Sequence, residues 1–157
     1  MTPLEARFLA WKDTRSCGTC TQCCNVFAVA ATESPQYAWC QHCTPGVGCG
    51  IYRERPPECV DFYCLWRMGF GTEDDRPDRR GVVLDLQVET GDALVIRVWR
   101  PRHPQERQRL SARRMQREIW EALTADGYAP VSIELHGPPP AKIVRWTPEE
   151  TRHASGE

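Results

Sequence analysis

Every cysteine of the chain falls between Cys17 and Cys64, and there are nine: Cys17, Cys20, Cys23, Cys24, Cys40, Cys43, Cys49, Cys59 and Cys64. The opening run, Cys17-Gly-Thr-Cys20-Thr-Gln-Cys23-Cys24, crowds four thiols together. A second C-x2-C unit, Cys40-Gln-His-Cys43, leads through a Gly-rich turn to Cys49, and Cys59 and Cys64 follow Pro56-Pro57. So dense a set must be metallated, disulfide-bonded or reactive. An odd count, with Cys23 and Cys24 adjacent, fits a simple disulfide framework poorly.

A chain of 157 residues is one domain, or a small domain with a cysteine-rich appendage. The formal net charge is −1, so no whole-chain imbalance draws it to nucleic acid or to a membrane surface. The segment Arg100 to Arg117 is rich in Arg, but Glu106 dilutes it and interleaved aromatics are missing, so a solvated face is expected rather than a nucleic-acid site. A protein partner is left open. Residues Met1 to Trp11 carry charges early and have no long apolar core, which does not read as a secretory signal. The longest apolar run, Val26 to Ala31, is far short of the roughly 20 residues of a spanning helix. A cytoplasmic protein is expected, and in that compartment clustered cysteines bind metal or do redox chemistry.

Residues 3–11 predict a short helix with Leu4, Phe8 and Trp11 on one side, and Asp13 or Thr14 can cap a further turn. If Cys17, Cys20, Cys23 and Cys24 were helical, they would share an arc of roughly 120°. Alternatively, Cys17 and Cys20 form a tight knuckle that grips one ion. Cys23 and Cys24 are too close to serve one ion comfortably and are expected to serve different ions, unless one is spare. From Gly71 to Arg80 the chain reads as a linker or loop. Residues 81–88 and 93–99 alternate around a turn at Glu89-Thr-Gly-Asp92, a β-hairpin with Val82, Leu84, Leu86 and Val88 on one face. Pro104 to Ala125 predicts a helix with Leu110, Met115, Ile119, Ala122 and Leu123 toward the core. Strands are expected at Ala129 to Leu135 and Lys142 to Trp146, and the last ten residues read as frayed. The expected fold class is α+β: an irregular, metal-stapled, cysteine-rich half (1–70) packed on a small ββαββ unit (71–157), together one compact domain.

Zinc is the first chemical reading, because paired C-x2-C units are its commonest protein grip and closed thiolate sites are structural. Two separate four-thiolate sites use eight cysteines and leave one over. His42 can replace a thiolate, though a solvent-facing turn residue is the plainer reading. Iron is the second, since Cys17-x2-Cys20-x2-Cys23 has the three-cysteine spacing of iron–sulfur proteins, although no cysteine here precedes Pro. Thiol redox chemistry is the third, but a redox C-x2-C sits between a strand and a helix of a βαβ unit, and neither unit here reads that way. Arg55, beside Tyr52, is expected to donate to thiolates or carbonyls and offset their charge. Trp39, Phe62, Tyr63 and Trp66 are expected to shield the cluster from water. The acidic pairs Asp74-Asp75 and Glu149-Glu150 read as solvated. No Ser-His-Asp set, phosphate-binding loop or HExxH motif is present, so a catalytic role is not the expectation.

The run Cys17-x2-Cys20-x2-Cys23-Cys24, followed by Cys49-x-Ile51-Tyr52-x-x-Arg55-Pro56-x-x-Cys59 and Cys64, resembles the CxxCxxCC cysteine-cluster family, bacterial proteins described as having a zinc- or iron-chelating domain. The resemblance covers roughly residues 17–66. It implies that Cys17, Cys20, Cys23, Cys24, Cys43, Cys49, Cys59 and Cys64 belong to the cluster, while Cys40 is additional to the pattern. It implies metal chelation and names no reaction.

Overall fold

A computed structural model describes residues 1–12, 14–90, 93–102, 106–128 and 131–148, the side chains of 106–112 excepted. Asp13, Gly91-Asp92 of the expected turn, Pro104, Ala129, Glu149-Glu150, the side chain of Leu110 and the tail beyond 148 lie outside the described residues and side chains.

Helix α1 (Pro3–Trp11) starts at a capping box: Glu5 N–H donates to Thr2 Oγ1 and the Glu5 carboxylate accepts from Thr2 N–H, with Pro3 in the first turn. The cysteine-rich lobe that follows is made of short pieces. They are α2 (Cys23–Val26), a 3-10 turn at Ala30–Thr32, strands β1 (Cys43–Thr44) and β2 (Gly48–Cys49), a 3-10 turn at Tyr52–Glu54, and α3 (Pro57–Val60). Next come a 3-10 turn at Glu73–Asp75, α4 (Pro77–Arg80), strands β3 (Val83–Val88) and β4 (Leu94–Trp99), the long α5 (Glu106–Ala125), β5 (Val131–His136) and β6 (Val144–Trp146).

The last five elements form the expected ββαββ unit, and the α+β class holds. The sheet order is β3-β4-β5-β6. β3 and β4 pair antiparallel, β4 and β5 parallel, and β5 and β6 antiparallel. A parallel pair needs a long crossover, and α5 supplies it. Met115, Ile119 and Leu123 recur every four residues on α5 and are each 1% exposed or less. Trp120 Nε1 donates to Val131 O (2.9 Å), fastening α5 to the start of β5.

The hairpin departs from a single buried face. Val83, Leu84 and Asp85 are all buried, so β3 begins with both faces covered, whereas Val88 is 60% exposed at the hairpin end. Alternation and register put Asp85, Arg97, Glu134 and Arg145 in one row across all four strands. Their ionic partnerships run along it, Arg97 with Asp85 and Arg145 with Glu134 at 2.7 Å. In the neighbouring row Trp99 stacks on His136, with centroids 4.1 Å apart.

Residues 71–80 are a structured segment rather than the linker their polarity suggested. Thr72 and Asp75 form a capping box, and Pro77 starts α4, which ends at Gly81 in the left-handed region (φ 75°). Asp75 is not solvated. It is 2% exposed, accepts from Thr72 N (2.8 Å), and is bound by Arg80 and Arg114. Burial opposes its charge, but the Thr72 N–H and the Arg80 guanidinium outweigh that and hold its carboxyl below the ordinary 3.8. Because the folded value is the lower one, this carboxylate stabilises the fold above the unfolded value, and the contribution is lost as pH falls through the folded one. Urea melts taken on either side of about pH 4 are expected to show that loss in the wild type and a flatter profile in Asp75→Asn.

Gly69 marks where α1 meets the core. Its φ is +93°, and a Cβ there would lie 2.6 Å from the indole of Trp11. Gly69→Ala is expected to cost about 2 kcal/mol in urea melts, combining backbone strain with that clash. Gly46→Ala, at φ +75° with nothing within 4 Å, should cost only the strain, about 1 kcal/mol.

One hydrophobic cluster joins Val26, Tyr37 and residues of 64–70 to the sheet and α5. No helix among the described residues is long and apolar enough to cross a membrane.

Candidate metal centre

The first four cysteines use both geometries that the spacing allows. Cys17 to Cys20 is a tight turn in which Cys20 N donates to Cys17 O (2.8 Å), with Gly18 at φ 56° supplying the left-handed residue. Cys23 and Cys24 instead open α2, whose Val26 is fully buried and roots the helix in the core. The second C-x2-C closes with the same hydrogen bond, Cys43 N donating to Cys40 O (3.0 Å), without a left-handed residue, and Cys40 N donates to Cys24 O (2.9 Å). The ladder of β1 and β2 puts Cys43 directly opposite Cys49. Gly46 N donates to the buried Thr21 Oγ1 (3.1 Å), which pins this small hairpin against the first cysteine turn. α3 carries Cys59. Cys64 is buried and stands just before Leu65, whose N–H donates to Leu84 O (2.8 Å) on β3.

Two arginines that sequence reasoning did not single out bring the ends of this lobe together. Arg15 donates to the carbonyls of Trp66 (2.7 Å), Phe70 (3.0 Å) and Gly71 (2.8 Å) and lies over the Trp66 ring. Arg67 returns the tie, donating to Arg15 O (3.1 Å) and stacking on Tyr63. Cys17 follows one arginine and Cys64 precedes the other, so the crossed pair seats these distant cysteines side by side.

The result is two adjoining hollows. The larger, about 280 Å³, is lined by Cys17, Cys20, Cys23, Cys24, Cys40, Cys49 and Cys59, with Phe27, Ile51 and Phe62 among its apolar walls and Asp85 and Arg97 from the sheet. The smaller, about 50 Å³, is lined by Cys17, Cys20, Cys23, Cys59 and Cys64, with Arg55 and Arg67. Cys43 lies outside both linings but stands close enough to Cys24 for each to influence the other's titration. All nine cysteines are thus drawn together, and all are free thiols.

Most of these thiols are held in the protonated form. Burial pushes Cys20 up to about 11, Cys43 to about 12 and Cys64 to about 12. Cys24 is raised furthest, by its hydrogen bond to the Cys23 thiol and then by burial, and burial with neighbouring Cys24 and Cys49 raises Cys59. Cys40 differs. Burial opposes its charge, but Ser34, Thr32 and the N–H groups of His42 and Cys43 outweigh that and lower it. Backbone N–H groups of Gln22 and Asp78 also face Cys20, and that of Arg67 faces Cys64.

Arg55 meets its expectation through carbonyls: Nε donates to Tyr52 O (2.9 Å) and Nη1 to Cys59 O (3.4 Å), with the guanidinium over the Tyr52 ring. His42 contributes its backbone, accepting from Gly50 N (2.7 Å). Of the four expected shielding aromatics, Phe62 lines both hollows. Trp66 belongs to the core, Tyr63 packs edge-on against Phe8, and Trp39 is 41% exposed. Phe27, which the sequence reading passed over, bridges Phe62 and Trp99 and so joins the lobe to the sheet.

Asp85 is the other omission. It is 6% exposed, binds Arg97 through both carboxylate oxygens, and accepts from Trp99 Nε1 (3.0 Å). Only its place on the strand, opposite an Arg two positions from a Trp, hinted at this.

Among the described residues no group of three or more His, Cys, Asp or Glu side chains stands arranged to hold a metal ion. The donor set nevertheless suits one. Burial and neighbouring sulfurs oppose deprotonation of most of these thiols, and a soft divalent ion is the kind of cation that would reverse that while taking the thiolate as ligand. Coordination would require these side chains to close around the ion. Comparison of the chain with protein-family models, with curated proteins and with solved structures found no match in any of the three.

Proposed function

We propose that this protein binds metal through the thiolates of its cysteine lobe, zinc first, in a structural or metal-handling role rather than a catalytic one. The observation that carries the reading is the lining of one hollow by seven cysteines drawn from five separate short elements and turns. The resemblance to the CxxCxxCC cluster family points the same way. The neighbouring N–H donors and Arg55 would offset the charge that four thiolates leave around a divalent ion. Metal ions are the partners this reading requires, and a reducing, cytoplasmic setting suits it.

Iron is the second reading, favoured by the size of the larger hollow, about 280 Å³ with apolar walls, which exceeds what one ion requires. Thiol redox chemistry gains less, because the β4-α5-β5 unit carries no cysteine. Anaerobic purification followed by visible spectroscopy separates the first two. A colourless protein that takes up cobalt with intense thiolate-to-metal absorption supports zinc. A brown protein with broad visible absorption replaces it with an iron–sulfur centre.

A further inference from the structure

We propose that the cysteines build two separate metal centres of unequal lability, an inner one on Cys17, Cys20, Cys23 and Cys64 and an outer one on Cys24, Cys43, Cys49 and Cys59, with Cys40 flanking the outer. The inference rests on the metal-binding reading above and adds which sulfur serves which ion, how many ions are held, and which of them exchanges.

The division follows from which sulfurs share space. Cys64 lines only the smaller hollow, whereas Cys24, Cys40 and Cys49 line only the larger. The sulfurs beside Cys64 are those of Cys17 and Cys20, with the Arg67 guanidinium also within reach. The sulfurs beside Cys24 are Cys23, Cys43 and Cys40, and those beside Cys59 are Cys24, Cys49 and Cys40. Cys17, Cys20, Cys23 and Cys59 line both hollows; of these Cys59 neighbours Cys24, Cys49 and Cys40 and so goes to the outer side, which leaves Cys17, Cys20 and Cys23 to join Cys64. Consecutive residues at the start of α2 advance by about 100°, so Cys23 and Cys24 turn toward different centres. Because the two residues are consecutive, the centres are neighbours. Cys40 is the ninth sulfur, occupied by hydroxyls: its thiol donates to Thr32 Oγ1 (3.8 Å), and Ser34 also bonds to it.

The two sites are anchored differently. Cys64 is 8% exposed and continues directly into Leu65 and Trp66 of the core, where Arg15 and Arg67 cross-tie the flanking backbone. Cys24 shares the core-rooted α2, but the other outer ligands, Cys43, Cys49 and Cys59, ride on two-residue strands and a one-turn helix, beside Val47, Tyr52 and Val60, which are 67%, 51% and 47% exposed. Opening the outer site through Cys43, Cys49 and Cys59 disturbs only local structure, and releasing Cys64 from the inner site disturbs the core. The outer ion is therefore the exchangeable one.

The full chain, reduced and reconstituted anaerobically with zinc chloride, is expected to hold about two zinc ions. Release to a chromophoric chelator should run in two phases differing at least about tenfold in rate. Cys49→Ser should lose one ion and the fast phase, while Cys64→Ser should lose one ion and the slow phase. Cys17→Ser repeats the inner test at a half-buried position outside the core, should Cys64→Ser fail to fold. Cys40→Ser should keep both ions. Release of a full zinc load in a single phase, or loss of both ions from either outer or inner variant, would overturn the division while leaving metal binding intact. A wild-type chain that takes up no zinc or cobalt overturns both.

Discussion

Stripping the metal with a strong chelator is expected to unfold the cysteine lobe while the sheet keeps its helical and strand signal. Between residues 14 and 63 the described buried hydrophobic side chains are only Val26 and Tyr37. Two such residues recover on the order of 5 kcal/mol of transfer free energy, far less than the conformational entropy of ordering fifty residues. Nor is long regular structure there to help, since each helix and strand of the lobe runs four residues or fewer. A structural zinc site supplies on the order of 10 kcal/mol per ion, which makes the ions the main cohesive element. The ββαββ unit differs, because it supplies Leu84, Ile96, Met115, Ile119, Leu123 and Ile133 to the shared cluster, far more buried apolar surface than the lobe adds to it. Chelation should therefore remove the near-ultraviolet circular dichroism of the lobe aromatics, expose all nine thiols to a thiol reagent, and leave far-ultraviolet signal from α5 and the strands. An unchanged near-ultraviolet spectrum and slow thiol reaction after complete metal removal would show that the lobe holds itself.

Asp85→Ala is expected to be the most damaging single substitution outside the cysteines, at about 3 to 5 kcal/mol. The carboxylate is buried where the lobe meets the sheet, and both Arg97 and the Trp99 indole depend on it. Its removal leaves a guanidinium charge in the wall of the larger hollow without its carboxylate. Trp99 also supports Phe27 from the lobe and stacks on His136. The loss should therefore spread across the junction. Asp85→Asn, which keeps an acceptor for Trp99, should cost clearly less in the same urea melts. Equal costs for the two variants would assign the effect to packing rather than to the ion pair.

Regular elements with a strong period were legible in the sequence. The hairpin, α5 and the two closing strands follow from alternation, a four-residue apolar spacing and Gly127 after the helix. The parallel pairing of β4 with β5 was not, because the strand pattern alone does not state direction; the crossover length of α5 decides it. The segment 71–80 looked like a linker because its polar residues satisfy one another locally. Its capping box is local, but the buried Asp75 carboxylate is also bound by Arg114, far away in sequence. The candidate site was legible as a list of sulfurs, since density and spacing are local properties. How the sulfurs are seated was not, because Arg15 and Arg67 act on carbonyls some fifty residues away, and nothing in a short window marks an arginine as a backbone clamp.

The metal-to-protein ratio of freshly purified, anaerobically handled full-length chain tests the central claim most directly. Elemental analysis is expected to find zinc or iron in stoichiometric amount, retained through gel filtration and lost together with the lobe's tertiary signal. A chain that carries neither metal, takes up neither on reconstitution, and still keeps that signal would contradict the account.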